Sequence, residues 1–133
     1  MAKKQITTFL GPSLALSYAG DHCYAYSGLY AASGSLQTHL EFTTGKQYIV
    51  GTVYCNGAAD ITEVARGQET IFQIKFNGIN VAQLKTSSET DDNNPTIWND
   101  LLIPPLTSVL VTVISDAANF GETSVVFTGR VYE

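Results

Sequence analysis

A chain of 133 residues, 44% hydrophobic and only 14% charged, can build one self-sufficient core and carries an unusually neutral surface. Its net charge of −5 and pI near 4.8 argue against a phosphate-backbone partner, which needs clustered Lys and Arg, and the seven basic residues are scattered. No apolar run approaches the ~20 residues that span a bilayer, so neither nucleic acid nor a membrane is expected as a partner.

"MAKKQITTF" has lysines without a following apolar stretch, so an uncleaved chain is expected, with residues 1–8 as a solvated N-terminal arm. Beyond it, alternation with period two recurs, and no window of a dozen residues holds a 3.6 period; the chain reads as all-β. The first strand, at about 22–32, sets Tyr24, Tyr26 and Tyr30 on one face with Gly28 between them. Tyrosine suits interfaces because its ring buries area while its hydroxyl keeps a polar partner; ordinary core packing is the alternative. His22 and Cys23 are neighbours on this strand, point to opposite faces and cannot chelate one ion together.

"LQTHLEF" turns Leu36, Thr38, Leu40 and Phe42 one way and Gln37, His39 and Glu41 the other, as for a sheet with one wet face. A strand follows at 47–55. "GAADITEVARG" admits a single helical turn capped by Asp60. Strands 69–76 and 79–86 form a hairpin through Asn77-Gly78, which tolerates the positive φ of a tight turn. In "IFQIKF" the alternation sets Phe72, Ile74 and Phe76 against Ile71, Gln73 and Lys75.

Residues 86–96, "TSSETDDNNPT", hold no large apolar side chain and read as a solvated loop. Glu89, Asp91, Asp92, Asn93 and Asn94 are hard oxygen ligands of the kind calcium takes, but they lack the spacing of an EF-hand, and a hydrated loop is the expectation. In the strand 97–103, Trp98 follows that loop; an open Trp there would serve as a stacking platform for a ligand, while a strand-end Trp more commonly tucks into the core. Asp100 beside Trp98 reads as part of an edge-strand turn.

Pro104 and Pro105 end that strand, because neither can donate to a ladder, and turn the chain before the strand 107–115. There Leu106, Leu110 and Ile114 lie on one side and Val109, Val111 and Val113 on the other. Cover is needed on both, from the opposite sheet inside and from a loop, a terminus or another subunit outside; self-association is the economical answer, and it makes Val109, Val111 and Val113 interface candidates. The last strand, 123–132, places Val125, Phe127 and Val131 against Val126 and Tyr132. Eight short strands predict a two-sheet antiparallel β-sandwich, jelly-roll-like, over a single domain 1–133, with an up-and-down barrel as the competing architecture.

Both histidines fall within strands, no nucleophile-elbow or CxxC pattern occurs, and no glycine-rich phosphate loop follows a strand. No catalytic, cofactor-binding or metal site is expected, and Cys23 and Cys55 are expected as free, buried thiols.

The segments "LEFTTGKQYIVGTV", "NGINV", "LLIPPLTSVLVTV" and "VVFTGRVYE" resemble small bacteriophage virion proteins with β-sandwich or jelly-roll folds, in particular those of marine phages; the proline-led strand is also similar to tumour-necrosis-factor-like and complement-type jelly rolls. The phage resemblance implies a non-enzymatic structural role on a virus particle, as a decoration or cement protein or a minor jelly-roll component, made in the host cytoplasm. It further implies a homotrimer, with capsid proteins as partners. A carbohydrate- or receptor-binding module is the alternative function.

Overall fold

The computed structural model describes residues 16–31, 33–56, 69–87, 96–115 and 122–133. Calcium at 86–96, the helical turn at Asp60 and the arm 1–8 therefore fall wholly or almost wholly outside the described residues. Among those that are described, ten strands form two antiparallel sheets: β1 (Ser17–Ala19), β2 (His22–Tyr26), β3 (Tyr30–Ala31), β4 (Gln37–Thr43), β5 (Tyr48–Asn56), β6 (Glu69–Phe76), β7 (Ile79–Ser87), β8 (Thr96–Ile103), β9 (Ser108–Ser115) and β10 (Glu122–Tyr132). One sheet has the order β1-β2-β10-β5-β8, with β3 also paired to β10; the other runs β4-β9-β6-β7.

The pairing is nested. β6 pairs with β7, β5 with β8, β4 with β9 and β2 with β10, so the chain folds as one long hairpin closed at Asn77-Gly78 and then rolled into two layers. This is jelly-roll connectivity, and it bears out the predicted antiparallel sandwich. The closing turn is the one the sequence announces: Asn77 and Gly78 both have positive φ, at 52° and 85°.

Between the sheets lies a core drawn from alternate positions of every long strand. Phe42, Phe72, Ile74, Val109, Val111 and Val113 come from one layer, and Cys23, Ile49, Val53, Cys55, Val125 and Phe127 from the other. Phe42 meets Phe127 across the layers, ring centroids 5.7 Å apart. Burying each such side chain stabilises the fold by roughly 1.5–3 kcal/mol before the entropy of ordering it is subtracted.

Four expectations are corrected here. The strand at 22–32 is two strands, because Gly28 at φ 78° breaks it; β2 stops at Tyr26 and β3 resumes at Tyr30. His39, expected on a wet face, is fully buried. A bulge between Thr38 and Leu40 leaves it as the extra residue opposite β9 and turns its ring inward. Val109, Val111 and Val113 are 1–2% exposed and line the core, so they offer no surface to a partner. Leu106 stands outside β9, in the corner that precedes it, and so shares no face with Leu110 and Ile114.

Candidate interaction surface

Cross-strand partners share a face, so the registers assemble the outward side of the larger sheet row by row. One row runs Tyr26, Val126, Tyr54, Ile97. The next runs Tyr24, Thr128, Thr52, and Thr52 donates to Asn99 Oδ1 at 3.4 Å. A third runs His22, Arg130, Val50, Leu102, and a fourth sets Tyr132 beside Tyr48 with their rings stacked at 5.4 Å. Tyr26 and Leu102 are more than half exposed, and the rings of Tyr24 and Tyr26 lie 6.0 Å apart.

Within these rows Arg130 and the His22 imidazole are the only groups able to carry charge, with Asp100 and Glu122 at the margins. Arg130 is neutralised locally: its guanidinium donates to Asp21 at 2.6 Å, and Asp21 also pairs with His22 Nδ1 at 3.0 Å. The hydrogen bond from Arg130 holds the Asp21 carboxyl below the usual carboxylate range. The outward side of the smaller sheet has the opposite character. Its rows mix Glu41, Leu110 and Lys75, then Thr112, Gln73 and Gln83, then Ile114, Ile71 and Lys85, with Lys85 paired to Glu69 at 3.7 Å. Leu110 and Ile114 are half-buried on this side.

The predicted site residues scatter accordingly. Tyr24 and Tyr26 stand on the neutral face as a row. Tyr30 leaves it, its ring stacked on His39 at 4.3 Å. Trp98 is 39% exposed, because it pairs with inward-facing Val53 but lies on the edge strand, at the open rim between the layers. Beside it a bulge sets two residues, Asn99 and Asp100, against Thr52, with Asp100 at φ 55°. Tyr48, Val50, Thr52 and Tyr54 alternate along β5 and share one face; that it is the outer one depends on sheet order.

The two histidines are not brought together: His22 is exposed on the outer face, and His39 lies in the interior, its Nε2 2.9 Å from Thr123 Oγ1. Burial pulls the His39 pKa down to about 4. A groove of about 240 Å³ opens at the rim, lined by Tyr18, Asp21, Gln47, Val131 and Glu133; neither histidine reaches it. Among the described residues no three His, Cys, Asp or Glu side chains are grouped to hold a metal ion, and Cys23 and Cys55 are free and buried. What the arrangement offers chemically is a tyrosine-lined, almost uncharged sheet face on an otherwise acidic chain. No protein family, curated protein or solved structure significantly matches the chain.

Proposed function

We propose that the protein is a non-enzymatic structural component that acts by subunit–subunit contact, and that the outer face of the larger sheet is where a second copy docks. The observation that carries this is the contrast between the two sheets: one outer face is charged and mixed, while the other presents four rows with a single, locally neutralised cation. Copies of a chain with net charge −5 repel each other except where their surfaces are neutral. The face spans four to five strands ~4.8 Å apart and about nine positions of ~3.3 Å, on the order of 600 Å², roughly three quarters of the ~800 Å² per partner of a standard stable interface. Tyrosine is the residue such interfaces favour.

Following the resemblance, we place this component on a virus particle, as a capsid decoration or cement protein or a minor jelly-roll component, in threefold assemblies. Jelly rolls serve capsids and lectins alike, so the fold supports this reading by analogy only. Sedimentation equilibrium at micromolar concentration, followed by co-sedimentation with intact particles, is the test. A folded chain that stays monomeric and leaves particles unlabelled would retire it. The open position of Trp98 favours one second reading, carbohydrate binding at the rim; a glycan array in which Trp98→Ala loses a signal given by the wild type would support it.

A further inference from the structure

The corner from Pro104 to Thr107, which carries the chain from β8 to β9, holds a leucine where folding favours something else. Leu106 has φ 54°, a left-handed conformation uncommon for any residue with a side chain and rarer for a bulky one, and its side chain is 69% exposed. Glycine or asparagine would suit that backbone better, and neither would hold an isobutyl group in water. Strain combined with apolar exposure at one position points to a role outside the fold.

The corner is also held in place by hydrogen bonds that satisfy most of its polar groups. Thr44 Oγ1 donates to the Pro104 carbonyl at 2.8 Å and accepts from the Thr107 amide at 2.9 Å. The Thr44 amide donates to the Thr107 carbonyl, the Leu106 amide to the Gly45 carbonyl, and Thr107 Oγ1 to the Pro105 carbonyl. Prolines bring no donor of their own. The corner can therefore leave water with almost no hydrogen bond lost, and its shape is set in advance, which removes much of the ordering cost of a contact.

We propose that Leu106, framed by the exposed rings of Pro104 and Pro105, is an anchor of the contact with the second copy, extending that contact from the tyrosine-lined face onto the β8 corner. The inference rests on the docking reading given above. Two observations single out the second copy as occupant. Leu102, in the row of Val50 and Arg130, is 55% exposed, and residues 101–106 form an uncharged stretch between the exposed Asp100 and the exposed Lys46, which follows Gly45, so the neutral surface runs on from Leu102 to Leu106; the opposite rim carries Asp21 and His22. The face alone, on the order of 600 Å², falls short of the ~800 Å² that a stable interface takes from each partner, and the corner supplies the difference.

The experiment compares self-association constants by sedimentation equilibrium for the wild type, Leu106→Asn, Leu106→Met and Tyr54→Glu, with thermal melts in dilute solution to follow folding. Leu106→Asn keeps the left-handed backbone and removes the apolar group; it is expected to melt no lower than wild type and to associate about tenfold more weakly. Leu106→Met keeps an apolar side chain and is expected to associate like the wild type. Association unchanged in Leu106→Asn but lost in Tyr54→Glu overturns the anchor and leaves the sheet face standing. The reverse pattern supports the anchor and removes the face, and a monomeric wild type removes both. Binding to phosphatidylserine vesicles that disappears in Leu106→Asn, with self-association unchanged, would assign Leu106 to a lipid surface and overturn the proposal.

Discussion

The ring of Phe127 on β10 occupies the space a side chain on Gly51 of β5 would need: a Cβ there would stand 2.6 Å from two ring carbons and 2.5 Å from the Thr128 carbonyl oxygen. The aromatic ring covers the neighbouring strand where that strand has no side chain, which lets β5 and β10 stay in register through Gly51 and Gly129. Gly51→Ala is expected to destabilise the protein by about 3 kcal/mol, read from urea unfolding. Adding Phe127→Leu should not restore stability, because the backbone oxygen of Thr128 remains in the way.

His39 makes the fold sensitive to mild acid. Its folded pKa is about 4, lowered chiefly by burial, and in the unfolded chain it lies near the ordinary value of about 6.5. Between those values the unfolded state binds the extra proton, so stability is complete above pH ~6.5 and falls as the pH drops towards about 4. Thermal melts from pH 7 to pH 4 should show this slope, and His39→Gln should flatten it relative to the wild type. An identical slope in both proteins would assign it to carboxylates instead.

Cys23 and Cys55 should be inert in the native protein. Burial pushes their thiols up to about 11 and about 12, so almost no thiolate exists at pH 8. A disulfide reagent absorbing in the visible should report two thiols in denaturant and essentially none within minutes under native conditions.

Thr44 is the clamp beneath the Leu106 corner. Thr44→Val removes the hydroxyl that serves both Pro104 and Thr107, leaving a carbonyl and an amide without their partner. A loss of about 2–4 kcal/mol is expected in chemical denaturation. Amide exchange at Leu106 and Thr107 should rise by more than at Tyr54, near the other end of β5.

Much of this fold can be read from local pattern. Asn77-Gly78 announces its hairpin because positive φ at two successive positions is a local requirement met by few residues. Phe72, Ile74 and Phe76 alternate cleanly with Ile71, Gln73 and Lys75, and their faces are as expected. His39 and Tyr30 lie off the faces that alternation assigns them for a physical reason: a bulge and a glycine break each shift the alternation by a fraction of a period, and period counting assumes that no such shift occurs. The valines of β9 were correctly grouped on one face, but both faces of that strand are apolar, and pattern alone could not say which one turns inward.

Composition and alternation, then, set an all-β chain with two-faced strands, a tight central hairpin and a neutral surface, because each of these depends on residues close together along the chain. Sheet order depends on pairings between residues that lie a hundred or more positions apart where Tyr26 meets Val126 and His22 meets Arg130, and it alone brings the tyrosines of β2, β5 and β10 onto one outer face. Only with the strands laid side by side do the bulges at β4 and β8, the clamp on Leu106 and the contrast between the two outer faces come into existence.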